Sequence, residues 1–231
     1  MTQSVQNHPG LAGDGALLAE RNRVLRNTYW LLALSMVPTV LGAWIGVQTG
    51  IMRSMTGGIG LIVFLVGAFG FIFAIEKFKN SAAGVPILLA FTFFMGLMLA
   101  RLLGAVLGLK NGSDLIMLAF AGTGGIFFGM ATLSSVIKRD LSSMGKFLMI
   151  GVVMLLVAGI ANVFIQSSAL MITLAVLAIG IFSFFILYDL KRVQDGEETN
   201  YITATLGVYL SVYNVFSSLL ALLGIFGGER D

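Results

Sequence analysis

The chain has 231 residues, 58% of them hydrophobic and only 11% charged, with a mean hydropathy of +0.97. A soluble domain carries about 25% charged residues, so this balance excludes an ordinary water-soluble globule and predicts a polytopic helical membrane protein. With no cysteine and a single histidine, His8, in the polar N-terminal stretch, thiol chemistry, disulfides, thiolate metal sites and a histidine-based zinc site or Ser–His dyad within the spans are excluded as well.

The first 27 residues are polar and carry Arg21, Arg23 and Arg26. A secretory signal peptide would begin its apolar core earlier and keep it shorter. The stretch reads as a mobile cytosolic tail, with helix confined to Gly15–Asn27, and its arginines as a topology signal and lipid-headgroup anchor or as a surface for a partner. The domain organisation expected is this tail over 1–27 and a single seven-helix transmembrane domain over 28–231.

The spans follow in order. The first is expected over Thr28–Gln48, with Tyr29 and Trp30 at the interface and Pro38 kinking its middle. Gly42, Gly46 and Gly50 make two GxxxG steps, and Gly104/Gly108 and Gly125/Gly129 repeat the pattern, which close helix packing in one bundle would explain. The second span is expected over Thr56–Ile75 and the third over Ala82–Leu103, where Arg101 either snorkels to the interface or pairs inside the bundle. The fourth, Leu115–Ile137, contains a GTGG run that has neither a preceding strand nor a GK[ST] and so is no phosphate loop. The fifth, Phe147–Gln166, holds Asn162. The sixth runs from Ala169 to Asp189 and the seventh from Ile202 to Phe226.

The seventh span keeps a polar stripe. Thr203, Gly207, Ser211, Asn214 and Ser218 are spaced 4, 4, 3 and 4 apart, on one helix face. Polar groups in hydrocarbon are costly, so this helix belongs inside the bundle. Its stripe serves either packing or a wet site. Basic residues divide unevenly between the two ends. Ten (Arg21, Arg23, Arg26, Lys77, Lys79, Lys138, Arg139, Lys146, Lys191, Arg192) fall on one side and three (Arg53, Lys110, Arg230) on the other. The positive-inside rule then places the N-terminus in the cytoplasm and the C-terminus outside, and explains the pI of 9.3 without any nucleic acid.

Asp189 is the only carboxylate expected within an apolar span. It lies about 30 Å along its helix from Ala169, so it is either a boundary residue beside Lys191 and Arg192 or a buried acid at the mouth of the bundle. An aspartyl protease needs two acids sharing a proton, and the spans supply one. With no metal-ligating cluster or other catalytic set, no enzyme, metal or cofactor is expected. A tight calcium site needs six to eight oxygens with several carboxylates. Asp189 with the hydroxyls and amides of Ser211, Asn214 and Asn162 offers at most a weak ion path or gate.

The segments VLRNTYWLLALS (Val24–Ser35), KRDLSSMGKFLM (Lys138–Met149), IANVFIQ (Ile160–Gln166) and GEETNYITATLGVYLSVYNVFSSLLALLG (Gly196–Gly224) resemble the Bax inhibitor-1 family, also called the transmembrane Bax-inhibitor-motif proteins, and within it the bacterial YccA-like branch. The resemblance implies an all-α seven-helix fold with the last helix central, in the bacterial inner membrane. Some members are pH-sensitive calcium leaks gated by an acid at the end of the sixth helix paired with one on the seventh. Asp189 matches the first acid. Ser211, in VYLSVYN, stands where those members carry the second, so the pair is broken. The YccA-like branch resembles modulators and slow substrates of an FtsH-type membrane AAA protease. A disordered tail of 27 residues would reach roughly 90 Å, enough to be gripped. The resemblance thus implies a non-enzymatic protease modulator, with a calcium- or proton-responsive leak through Asp189 as the alternative.

Overall fold

The computed structural model describes residues 9–51 and 57–229, with side chains described from Leu17 to Ile51 and from Gly58 to Glu229. Within them the chain forms seven helices: α1 (Pro9–Thr49), α2 (Gly57–Phe78), α3 (Gly84–Leu107), α4 (Gly112–Val136), α5 (Ser142–Ile165), α6 (Ser168–Asp195) and α7 (Tyr201–Phe226). Each is long and apolar enough to cross a membrane. The fold is an all-α seven-transmembrane bundle, as the composition predicts.

The helix starts and stops follow local chemistry. Asn200 caps α7, its Oδ1 accepting from the amides of Ile202 (2.9 Å) and Thr203 (3.2 Å). The Ser167 hydroxyl accepts from the Leu170 amide at the start of α6. Gly196 ends α6 at φ +82°, a left-handed conformation that glycine adopts without strain. The expected boundary between Asn27 and Thr28 falls inside α1, which is helical from Pro9 and runs on into the first span without a break. From Arg21 onward this helix packs on the bundle. Val24 is buried against Val193 and Ala204, and the Arg21 guanidinium lies over Gly196, where an added Cβ would stand 2.5 Å from its Nε. Residues before Pro9 lie outside the described part.

α7 is the centre of the bundle. It packs on α1, α2, α3, α4 and α6, and no residue from Tyr201 to Gly224 is exposed. The largest core cluster joins Leu31 and Leu32 of α1, Ile75 of α2, Phe91 and Met95 of α3, Ile186 and Leu190 of α6, and Leu206, Tyr209 and Val215 of α7. α5 is peripheral, with Leu148 its one buried residue, and packs chiefly on α6.

The glycine pairs are not equivalent. An added Cβ on Gly42 would stand 2.2 Å from the Phe93 carbonyl oxygen, one on Gly46 2.5 Å from the Ala100 Cβ, and one on Gly96 2.1 Å from the Thr39 carbonyl oxygen. These glycines let α1 and α3 make the most extensive contact in the bundle. Gly50 ends the run at φ +63° rather than packing. Gly104, Gly125 and Gly129 have open space where a Cβ would be, and Gly108 meets only its own helix. The expectation that all three GxxxG pairs serve packing is corrected to one of them.

Candidate functional site

The α2–α3, α4–α5 and α6–α7 turns lie with the N-terminal part of α1 at one end of the bundle. They are tied there by side chains: Asn200 Nδ2 donates to Asn80 Oδ1 (2.8 Å) and to the Lys79 carbonyl (3.2 Å), and Gln194 Nε2 donates to Ser134 Oγ (3.0 Å). All ten basic residues assigned to the inside are at this end. Asp140, in the α4–α5 turn, accepts from the Ser142 hydroxyl and amide, which holds its carboxyl below the usual carboxylate range.

Asp189 sits here, half-buried, one turn and a half before the end of α6. Its carboxylate faces α7: an added Cβ on Gly207 would stand 2.8 Å from Asp189 Oδ2. Only a residue without a side chain leaves room for the acid at that level. Lys191 and Arg192, the cations its sequence neighbourhood offers, form their ion pairs with other acids, although the Arg192 charge still acts on Asp189. Lys191 pairs with Asp195 at 2.7 Å, and Arg192 reaches Glu197 at 3.6 Å and Glu198 at 3.9 Å. Asp189 itself makes no hydrogen bond or ion pair among the described residues.

The stripe on α7 continues from this point. Ser211 is buried, and its hydroxyl donates to the Gly207 carbonyl at 3.0 Å. Asn214 Nδ2 donates to the Leu210 carbonyl at 2.8 Å. Thr203, one turn before Gly207, buries a hydroxyl that has no hydrogen-bond partner. Asp189 therefore meets Gly207 rather than Ser211, and Ser211 and Asn214 turn their polar atoms back onto their own helix. Asn162 is not part of this cluster. It lies near the C-terminal end of α5 with its Oδ1 accepting from the Ser167 amide at 3.0 Å. Ser167 precedes Asp189 by about 33 Å of helix. Arg23 and Arg26 project outward from α1, while Arg21 is half-buried on Gly196. Among the described residues no three His, Cys, Asp or Glu side chains come together as ligands for a metal ion.

Sequence reasoning missed Tyr209 and Tyr213, which stitch α7 to α1 and α3. Tyr209 shares a hydrogen bond with Thr39 (2.9 Å), and Tyr213 donates to the Met95 carbonyl (3.2 Å). Their spacing of four on an apolar helix was the available signal.

The family described as "Inhibitor of apoptosis-promoting Bax1" matches residues 21–228. The chain belongs to the Bax inhibitor-1 family. A protein of Escherichia coli named "Modulator of FtsH protease YccA" is 37% identical over 218 residues, which is 94% of this chain and 96% of that protein. A second Escherichia coli sequence, named "Inner membrane protein YccA", matches to the same extent. A Vibrio cholerae protein described as an uncharacterized membrane protein is 37% identical over 214 residues, covering 91% of this chain and 92% of its own length. This Bax inhibitor-1 family member is thus similar along nearly its whole length to bacterial membrane proteins of the YccA type.

Proposed function

We propose that this protein is a non-enzymatic modulator of an FtsH-type membrane AAA protease, seated in a bacterial inner membrane. The observation that carries the reading is the likeness along 94% of the chain to the relative named for that role. The protruding start of α1 is consistent with it. Residues Leu17 to Glu20 are exposed, and packing onto the bundle begins only at Arg21 and Val24. A helix that extends past its neighbours and carries exposed Leu17, Leu18, Arg23 and Arg26 offers a partner both apolar area and charge.

Deleting Thr2–Ala19 separates this role from the fold. Co-purification with the protease and protease-dependent turnover are lost, while the melting temperature of the purified bundle stays as it was. Unchanged co-purification and turnover after the deletion would refute the proposal.

A second reading, a weak proton-sensitive cation leak, is favoured by one specific observation. The half-buried Asp189 carboxylate lies against α7 at Gly207, and one turn away the Thr203 hydroxyl is buried with no hydrogen-bond partner among the described residues, which costs about 1–3 kcal/mol unless something offsets it. Protein reconstituted in liposomes then passes calcium, and Asp189→Asn changes the flux. Flux no greater than that of empty liposomes across acid to neutral pH rules this reading out.

A further inference from the structure

At the end of the bundle opposite Asp189, α2, α3, α5 and α6 enclose a cleft of about 490 Å³. Its apolar lining comes from Leu61 and Phe64 of α2, Val163 of α5 and Met171 of α6. Its polar lining comes from Arg101 of α3, Asn162 and Gln166 at the end of α5, and Ser167 and Ser168 at the start of α6. No acid lines it. Arg101 makes no ion pair among the described residues. Arg101 is exposed near the end of α3, and it projects into a cleft that holds no counter-charge among the described residues.

The remaining polar groups are also arranged as donors. Asn162 commits its Oδ1 to the Ser167 amide, which leaves its Nδ2 free. Gln166 is held at φ +53°, the one non-glycine residue with positive φ among those described, and its side chain makes no hydrogen bond among them. Ser167 spends its hydroxyl oxygen on the Leu170 amide, so the amides of Ser168 and Ala169 are left at the positive end of α6. Arg101 stands six residues before Leu107, about 9 Å of helix from the end of α3, the depth of a headgroup-to-acyl boundary.

We propose that this cleft binds one phospholipid, its phosphate diester held by Arg101 with the amides of Asn162 and Gln166, and its first acyl carbons lying on Leu61, Phe64 and Met171. A guanidinium matches phosphate oxygens in bidentate geometry, and basic pockets between transmembrane helices hold anionic headgroups in this way. Snorkelling of Arg101 into bulk headgroups would involve the same charge but neither the cleft nor a fixed stoichiometry. The half-apolar lining favours a lipid over a soluble phosphate.

Native mass spectrometry of the intact protein in detergent, titrated with phosphatidylglycerol, tests this. One lipid binds tightly. Arg101→Gln weakens it by about tenfold or more, and so does Ser168→Asp, which sets an acid at the exposed rim. Lys146→Gln at the other end has no effect, and helicity and melting temperature are unchanged in all three. Diacylglycerol, which has no phosphate, does not occupy the site, and millimolar inorganic phosphate does not displace the lipid. Wild-type affinity in both Arg101→Gln and Ser168→Asp, or equal binding of diacylglycerol, overturns the site. Full displacement by inorganic phosphate overturns the lipid as its ligand.

Discussion

Gly207 shows how much one missing side chain decides. The obstacle to a Cβ there is the Asp189 carboxylate, the far end of a half-buried side chain that has rotational freedom and no bond to break. Gly207→Ala therefore displaces the acid rather than the helix. Alanine also gains about 0.5–1 kcal/mol of helix propensity over glycine, so the thermal stability of the purified protein changes by less than about 1 kcal/mol while Asp189 leaves its seat on α7. Tyr209 behaves differently, because it is fully buried and its hydroxyl is bonded to Thr39. Tyr209→Phe removes that bond and costs about 0.5–1.5 kcal/mol. The loss stays at the modest end because the Thr39 hydroxyl keeps the Ser35 carbonyl as acceptor at 2.8 Å. A melting curve in one detergent distinguishes the two substitutions.

Between elements, the same change of glycine to alanine has opposite signs. On Gly96 the new methyl would meet the backbone oxygen of Thr39 at 2.1 Å, and backbone cannot turn aside. Gly96→Ala thus drives α3 away from α1 and destabilises by about 1–3 kcal/mol. Gly125→Ala meets nothing within 4 Å and is neutral or stabilising. Equal melting temperatures for the two variants would contradict this α1–α3 packing. The pair also marks what was legible in the sequence. The motif GxxxG is visible at Gly42, Gly104 and Gly125 alike, but whether a partner backbone lies against it depends on helix rotation, which one sequence does not encode. The α7 stripe was legible because its period is a property of that helix alone. The early start of α1 was not, since the first 27 residues are polar and the contact of Arg21 with Gly196 joins residues far apart in sequence. The Arg101 cleft needs four helices, so Asn162 was legible as a polar residue in a span but not as a neighbour of Arg101.

For the whole molecule, the distribution of charge gives the last prediction. The structure gathers Arg21, Arg23, Arg26, Lys77, Lys79, Lys138, Arg139, Lys146, Lys191 and Arg192 at one end. At the opposite end the described basic residues are Lys110 in the α3–α4 turn and Arg101 within its cleft. Lysines and arginines close to an anionic leaflet contribute about 1 kcal/mol each, so an excess of this size dominates the choice between the two orientations even after partial screening. The prediction is therefore that the α1 end with its exposed arginines faces the cytoplasm, where the proposed FtsH-type protease would meet it, and that the Arg101 cleft opens in the outer leaflet. Green fluorescent protein fused after residue 231 stays dark and alkaline phosphatase fused there is active, with the reverse result for fusions before residue 1. A fluorescent C-terminal fusion would invert the molecule, taking the α1 extension away from any cytoplasmic protease while leaving the chemistry of the Arg101 cleft intact in the other leaflet.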